Sequence, residues 1–185
     1  LLSRYLFAMF YKPVPVDKNF TPPVTIIIPC FNEETWIRRT IISCLNQDYP
    51  VDSLEVIVID DCSTDKSLEV VKATIAELSE KEARYKVAER LSYFKQPQNA
   101  GKREAMAVGA KLAKHDLLVF VDSDSFLNPY AIVNLVQPFK DKDMGGVSGR
   151  TDVANTYTNG LTKMQAVRYY ISFRVMKAAE AYFDA

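Results

Sequence analysis

The stretch Leu117-Leu118-Val119-Phe120-Val121-Asp122-Ser123-Asp124 runs from five apolar residues directly into two carboxylates separated by one serine. An uninterrupted apolar run with β-branched and aromatic members is typical of a parallel strand that is covered on both faces. In open parallel sheets, ligands bind outside the carboxyl ends of the strands. The stretch therefore predicts a central buried strand that delivers two carboxylates to a ligand site.

The acidic triplet Asp122-Ser123-Asp124 is spaced so that both carboxylates can face one cation. Side chains alternate along an extended segment, so the first and third residues point the same way. Two like charges that close repel each other, and a divalent cation relieves the repulsion. The alternative for the triplet alone is a solvated acidic turn ahead of Pro129. The strand that precedes the triplet favours the ligand site.

Apolar runs and helical patterns alternate along the rest of the chain. Further strands are predicted over residues 24–28, 56–59, 91–94 and 145–149, and helices are predicted to begin at Asn32 or Glu33, Asp65, Glu104 and Pro129. This alternation predicts an α/β fold with a parallel sheet and right-handed crossovers. The chain has no G-x-G-x-x-G after its first strand and no Walker A loop, which argues against dinucleotide enzymes and P-loop NTPases.

Functional residue types follow the predicted strands. Pro29-Cys30-Phe31-Asn32-Glu33 follows the first strand, and Asp60-Asp61 ends the second. Gly101-Lys102-Arg103 opens the helix after the third strand. A glycine and two cations at a helix N-terminus suit an anion, because free backbone N–H groups and the helix dipole add to the side-chain charge. For that motif alone, a surface turn with solvated cations is the alternative.

The composition limits the class of protein. At 185 residues, the chain is long enough for one α/β core. The 23 Lys and Arg balance 23 Asp and Glu, so no overall field attracts nucleic acid, and any anion site must be local. Cys30, Cys44 and Cys62 share no metal-ligand spacing and fit a reduced cytosolic compartment. No stretch reaches the roughly 18 to 20 apolar residues that cross a bilayer.

The two ends of the chain leave more than one interpretation open. Residues 1–12 are apolar and aromatic, and they predict either a core helix or the end of a membrane helix. From Gly160 to Phe183, apolar residues recur at spacings of three and four, and cations outnumber acids. Such an amphipathic helix packs on its own domain, on another domain, or in a membrane interface.

Four motifs stand in the order and context found in family 2 glycosyltransferases of the GT-A fold, which the chain resembles over roughly residues 22 to 185. They are Pro29-Cys30-Phe31-Asn32-Glu33, Asp60-Asp61, Gly101-Lys102-Arg103 and Asp122-Ser123-Asp124. The resemblance is closest to the processive membrane synthases of the hyaluronan, chitin and cellulose synthase type, through the stretch from Gly145 to Phe183. It implies a GT-A, Rossmann-like fold with a mostly parallel sheet flanked by helices and a C-terminal amphipathic helix.

The resemblance also implies roles for individual residues. Those implied in UDP binding are Pro29, Phe31, Asn32, Glu33, Asp60, Asp61, Lys102, Arg103 and Asp122. Among them, Asp61 would lie near the base or ribose with Asp60 supporting it, and Lys102 would contact the diphosphate. Asp122 and Asp124 would hold Mn²⁺ or Mg²⁺ against the phosphates, with Asp124 as the direct ligand. A site of carboxylate oxygens alone suits such hard cations.

By the same resemblance, the chain would transfer a sugar of the N-acetylglucosamine or glucuronic acid type from a UDP-sugar to a growing polysaccharide, with inversion and metal dependence. The expected location is the cell membrane, with the catalytic domain on the cytoplasmic side and membrane contact through segments at or beyond the chain ends. The family's acceptor motif and general base do not occur before Ala185, and Asp152 or Glu180 would only be guesses for that base. The stretch therefore resembles the donor-binding part of a longer enzyme.

Two alternatives remain at this point: a nucleotide-sugar binding module without transferase activity, and a doubly wound regulatory domain that binds Mg²⁺. The predicted organisation is an N-terminal segment over residues 1–21, a nucleotide-sugar-binding domain over 22–155 and an amphipathic helix over 156–185.

Overall fold

The structure is a computed structural model that describes residues 6, 8–10, 12, 14–154 and 158–177. The chain forms two compact units, one of residues Val16–Gln137 and the other of Leu1–Pro15 together with Pro138–Ala185. The predicted N-terminal apolar segment lies largely outside the described residues. The domain boundaries after residues 21 and 155 stay predictions.

In the described part of the chain, four parallel strands form one sheet in the order β3-β2-β1-β4. They are β1 (Val24–Cys30), β2 (Leu54–Asp60), β3 (Leu91–Lys95) and β4 (Leu117–Phe120). Every residue of β1 and β2 is buried, as expected for strands that have helices on both faces. The predicted α/β class with a parallel sheet is confirmed.

Helices cover both faces of this sheet. In the unit that contains the sheet, the described helices are α1 (Ile37–Leu45), α2 (Ser67–Ser79), α3 (Glu82–Tyr85), α4 (Val87–Arg90), α5 (Lys102–Leu112) and α6 (Ala131–Leu135), with a 3-10 turn at Val51–Ser53. A second 3-10 turn, Gln137–Lys140, begins at the last residue of this unit. The other unit contains α7 (Gly160–Tyr170) and a π-helical segment at Ile171–Met176. Side chains of α1, α2 and α6 join Ile26 and Ile28 in the larger apolar cluster. Because side chains alternate along β1, Ile27 faces the opposite way and packs in a second cluster with Ala105 of α5.

Gly109 allows α5 to approach β1 closely, and Gly109→Ala is expected to destabilise the protein. Alanine normally favours a helix interior by about 1 kcal/mol over glycine. Here, however, a Cβ at Gly109 would lie 2.4 Å from Cγ2 of Ile27, a fully buried β-branched residue that cannot move aside. Overpacking of this kind costs about 1 to 3 kcal/mol, so thermal melting should show a Tm lower by a few degrees.

Gly160→Ala is the matched control for this substitution. Gly160 is the first residue of α7, and a Cβ there meets no atom within 4 Å. This variant should keep or raise the Tm. A Tm that rises equally in both variants would contradict the proposed close approach of α5 to the sheet.

The interpretation of residues 117–121 as a central strand that is covered on both faces is wrong. β4 pairs only with β1 among the described residues, so it is an edge strand of the sheet. Its residues are partly exposed, and Phe120 is 44% exposed. An apolar run indicates that a strand is covered, but it does not specify where in the sheet that strand pairs. The central positions belong to β1 and β2.

The glycine-rich strand predicted over residues 145–149 is also absent from the described structure. These residues are exposed and have no regular secondary structure. Glycine loses more backbone entropy than other residues on ordering, and it offers no side chain that a sheet could bury. Three of the five residues in this stretch are glycines, which explains why the predicted strand does not form.

The first helix begins later than predicted. Asn32 has a left-handed φ of 55°, which no helix start at Asn32 or Glu33 would accommodate. The carbonyl of Glu33 instead accepts hydrogen bonds from the backbone N–H groups of Trp36 and Ile37, at 3.1 and 3.0 Å. A turn therefore separates β1 from α1.

The amphipathic helix predicted from Gly160 to Phe183 is divided in the structure. α7 ends at Tyr170 and a π-helical segment follows, which changes the number of residues per turn. Met164 and Val167 are exposed whereas Val175 is buried, so the spacings of three and four do not form one straight stripe. Residues 178–183 lie outside the described part of the chain. No helix among the described residues combines the length and apolar character needed to span a bilayer.

Candidate functional site

The carboxyl ends of β1, β2 and β4 bring the predicted motifs to one edge of the sheet. Cys30 lies opposite Asp60 in the register of β1 and β2, and the Asp61 N–H donates to the Cys30 carbonyl at 2.8 Å. The Val121 N–H donates to the Ile27 carbonyl at 3.0 Å, so the chain continues beside β1 towards the acidic triplet. This edge is where open parallel sheets bind ligands.

The turn predicted over Pro29–Glu33 is shorter in the structure, because Pro29 and Cys30 are buried as the last residues of β1. Hydrogen bonds join the remaining turn, residues 31–33, to the loop that follows β2. The side-chain oxygen of Asn32 accepts from the Thr64 N–H at 2.8 Å, and the Asn32 N–H donates to the Ser63 hydroxyl at 3.1 Å. The Glu33 N–H donates to the Ser67 hydroxyl at 2.7 Å. Because the side chain of Asn32 holds this loop, it fixes the shape of the turn, while the ring of Phe31 in the same turn is exposed.

Sequence reasoning missed the contribution of residues 63–67. Each of these hydrogen bonds joins residues that are more than 30 positions apart, and serine and threonine are common in any loop. The available signal was the continuation of Asp60-Asp61 into a run of short polar residues, Ser63-Thr64-Asp65. Asp65 Oδ1 also accepts from the N–H of Ser67, the first residue of α2, at 2.9 Å.

One carboxylate oxygen of Asp60 is buried and accepts no hydrogen bond from the described residues. The residue is 1% exposed, and its Oδ1 has no hydrogen-bond partner among the described residues. Burial, followed by the charge of Asp60, raises the pKa of the neighbouring Cys30 to about 12, so this thiol is neutral at physiological pH. A buried acceptor without a donor is unfavourable, and a ligand that brings a donor to this position would be stabilised.

Asp61 fixes the loop that leads into α5. Its Oδ1 accepts from the Gln96 amide at 2.6 Å and from the Ala100 N–H at 2.8 Å, and its Oδ2 accepts from the Gly101 N–H at 2.8 Å. A carboxylate offers about four lone-pair directions, so Oδ2 has one left for a further donor. Gly101 has a φ of 90°, a conformation that suits glycine at this bend.

Lys102 and Asp122 meet at the edge of the sheet. The Lys102 Nζ lies 2.5 Å from Asp122 Oδ1, and both side chains are 58% exposed. The first turn of α5 thus points a cation at the first carboxylate of the acidic triplet. Arg103 is exposed beside Lys102, and its side chain makes no contact within the described part of the chain that defines a role.

Glu33 and Asp124 bring negative charge to the same region. Partial burial, followed by the charges of Asp124 and Asp65, raises the pKa of Glu33 above its ordinary value. Asp124 itself is exposed and receives only a long contact of 3.5 Å from the Ser125 hydroxyl. The excess negative charge around Asp124 is the electrostatic setting that a divalent cation relieves.

The acidic triplet fits a cation that is also bound by phosphate oxygens. Within the described residues, no three His, Cys, Asp or Glu side chains form a metal-binding group. Mg²⁺ and similar hard cations are commonly held by one or two carboxylates together with substrate phosphates. Asp122 and Asp124 supply two carboxylates, and Lys102 marks the position where further negative charge would be stabilised.

The two residues named as guesses for a general base gain no support as catalytic groups. Asp152 forms an ion pair with Arg150, whose Nε lies 3.0 Å from both carboxylate oxygens. Glu180 lies outside the described part of the chain.

Comparison with known sequences identifies related proteins. The sequence model described as glycosyl transferase family 2 matches residues 25–183. An N-acetylglucosaminyltransferase of Rhizobium meliloti is 30% identical over 172 residues, which cover 92% of this chain and 38% of the relative. A hyaluronan synthase of Streptococcus pyogenes is 29% identical over 182 residues, which cover 98% of this chain and 42% of the relative. The chain thus spans about two fifths of the length of these relatives.

Solved structures share the fold. The mannosyltransferase PcManGT of Pyrobaculum calidifontis, in complex with GDP-Man and Mn²⁺, is 28% identical with a TM-score of 0.62, over 74% of this chain and 39% of that one. TarS 1–349 of S. aureus, in complex with UDP-GlcNAc, is 28% identical with a TM-score of 0.51, over 74% of this chain and 38% of that one. The sheet and its helices therefore have the GT-A arrangement expected from the sequence.

Proposed function

Because this chain belongs to glycosyl transferase family 2, we propose that it is the donor-binding part of an enzyme that transfers a sugar from a UDP-sugar to a growing polysaccharide. The observation that carries the proposal is the meeting of Lys102 with Asp122 beside the loop that Asp61 fixes. A cation and two carboxylates therefore lie together at the carboxyl ends of the strands. That combination suits a nucleoside diphosphate.

In this proposal, the uridine is bound by the turn at residues 31–33, by Asp60 at the end of β2 and by Asp61 directly after it. Asp60 Oδ1 is buried without a donor, and Asp61 Oδ2 has one lone-pair direction left. Ribose hydroxyls and the uracil N–H are donors that suit such acceptors. Phe31 contributes an exposed ring on which a base can stack.

Lys102 acts on the diphosphate. Transfer of the sugar expels UDP, so negative charge grows on the β-phosphate in the transition state, and a cation placed there stabilises that charge. Lys102 already points at the acidic triplet, next to which the phosphates would lie. Mn²⁺ or Mg²⁺ bound by Asp122 and Asp124 would add positive charge at the same oxygens.

The sugar, the acceptor and the cellular location follow the named relatives and are proposals for the whole protein. The N-acetylglucosaminyltransferase and hyaluronan synthase matches support a donor sugar of the N-acetylglucosamine or glucuronic acid type and a polysaccharide acceptor. We propose an inverting transfer at the cytoplasmic face of the cell membrane, as in the synthases that the sequence resembles. The exposed side chains of α7, among them Met164 and Val167, support an interfacial position for that helix.

UDP should bind more tightly than GDP in the presence of Mn²⁺. The test is calorimetric titration of the chain with each nucleotide, and we expect GDP to be at least about tenfold weaker because guanine is larger than uracil and presents its donors at different positions. GDP is the appropriate competitor, since the PcManGT structure contains GDP-Man. Equal affinity for both nucleotides would contradict the uridine assignment, and binding of neither would contradict the donor site itself.

Product analysis separates this proposal from the binding-module alternative. Incubation of the enzyme with a UDP-sugar and an oligosaccharide acceptor should release UDP in step with chain growth. Tight UDP-sugar binding without release of UDP would favour a module that binds the donor and does not transfer it. The regulatory-domain alternative predicts no affinity for uridine nucleotides, and the family membership of the chain leaves no reason to retain it.

A further inference from the structure

We propose that Thr40 is a positioning residue for the acidic triplet, and that its hydroxyl sets the orientation in which Asp122 and Asp124 receive a cation and a diphosphate. The inference rests on the proposed function and extends it to a residue of α1 that contacts no ligand. Thr40 Oγ1 lies 2.7 Å from the carbonyl oxygen of Ser123, the residue between the two aspartates.

The bond from Thr40 is short and buried. Thr40 is 1% exposed, and Ser123 is 8% exposed. The hydroxyl also lies 3.3 Å from the Trp36 carbonyl of its own helix, but it has one proton, and the shorter contact is to Ser123. A hydrogen bond in such a protected position is electrostatically stronger than one in water.

The triplet depends on this bond because the sheet no longer holds it. β4 ends at Phe120, and the last hydrogen bond to β1 is donated by Val121. Beyond that point, a turn bond from the Ser125 N–H to the Asp122 carbonyl, at 2.9 Å, bends the chain. Rotation of the peptide that carries the Ser123 carbonyl would change the direction of Asp124 relative to Asp122.

The same face of α1 holds the segment after the triplet. The Ser43 hydroxyl accepts from the Leu127 N–H at 3.0 Å, and Gln47 Oε1 accepts from the Ile132 N–H at 3.2 Å. Thr40 and Ser43 are spaced by three residues, so they lie on one side of α1, and Gln47 follows two residues after the end of that helix. The partners of these three side chains lie 83, 84 and 85 positions later in the chain. Residues 40–47 therefore run side by side with residues 123–132.

Thr40→Val tests the inference, because valine keeps the shape of threonine and removes the donor. We expect the ratio of UDP affinity in Mn²⁺ to UDP affinity in EDTA to fall about fivefold or more, as for loss of one buried hydrogen bond. UDP affinity in EDTA should stay close to that of the wild type. Thr40→Ser restores the donor and should restore the ratio.

Thr74→Val is the matched control. Thr74 lies in α2, is also 1% exposed, and donates to the Val70 carbonyl of its own helix at 2.7 Å. It should leave the ratio unchanged, because its hydroxyl bonds within α2 and not to the acidic triplet. Thr40→Ala, which keeps a good helix former at this position, repeats the test if valine prevents folding.

An unchanged ratio in folded Thr40→Val or Thr40→Ala would overturn the positioning role while leaving the proposed function in place. An equal fall in Thr74→Val would overturn it too, because the effect would then reflect general destabilisation. Equal UDP affinity of the wild-type protein in Mn²⁺ and in EDTA would overturn the proposed metal-dependent function and, with it, this inference.

Discussion

Asp124→Asn is expected to make UDP affinity nearly independent of Mn²⁺. The substitution keeps the size of the side chain and removes one of the two negative charges that the acidic triplet offers to a cation. Asp124 is exposed and has no cationic partner among the described residues, so its charge is available to a bound ion. Because a hard cation held by one or two carboxylates depends strongly on each of them, most of the metal-dependent gain should be lost.

The measurement is calorimetric titration with UDP in Mn²⁺ and in EDTA, for the wild type and the variant. Asp116→Asn is the matched control, since Asp116 is an exposed carboxylate at the other end of β4. The control should keep the full Mn²⁺ effect. A variant at Asp124 that retains the wild-type ratio would show that the cation is held elsewhere.

Lys102→Ala is expected to weaken UDP about tenfold and to leave uridine unaffected. A charge-assisted hydrogen bond is worth roughly 1.5 to 3 kcal/mol, and the lower end applies here because the side chain of Lys102 is more than half exposed. The loss is confined to ligands that carry the diphosphate, since Lys102 faces the acidic triplet and not the turn at residues 31–33. Competition titrations with UDP and uridine measure the difference.

Lys111→Ala, in the last turn of the same helix, is the control for helix stability and overall charge. A second measurement uses Mn²⁺ alone. Removal of Lys102 leaves Asp122 without its ion-pair partner, so the metal should bind Lys102→Ala more tightly than the wild type in the absence of nucleotide. Equal losses for UDP and uridine would contradict a diphosphate role and indicate that Lys102 only maintains the loop.

The arrangement of the fold could be predicted where a local pattern determines it. The apolar runs at residues 24–28 and 56–59 lie within β1 and β2, and the alternation of strands and helices gives the parallel sheet. The edge position of β4 could not be predicted, because pairing order depends on contacts between distant segments. The glycine-rich strand predicted over residues 145–149 does not form, because its glycines offer no side chains that a sheet could bury.

For the candidate site, the sequence predicted which residue types follow each strand, and the structure brings Asp61, Lys102 and the acidic triplet to one edge. Their roles in binding stay predictions. The hydrogen bonds that hold these groups could not be predicted from local sequence. The bond from the Gly101 N–H to Asp61 joins residues 40 positions apart, and the bond from Thr40 to the Ser123 carbonyl joins residues 83 positions apart. Nothing in the residues around Thr40 indicates that its hydroxyl donates a hydrogen bond to a distant segment of the chain.

The contact between Lys102 and Asp122 has a consequence for the order and mutual dependence of binding events. Each of these charges neutralises the other in the free protein, so a cation must draw Asp122 away from Lys102, and a diphosphate must draw Lys102 away from Asp122. Whichever ligand binds first releases the partner that the second one needs. On the proposed function, we therefore expect nucleotide and metal to bind with positive cooperativity, and by linkage each should raise the affinity of the other by the same factor.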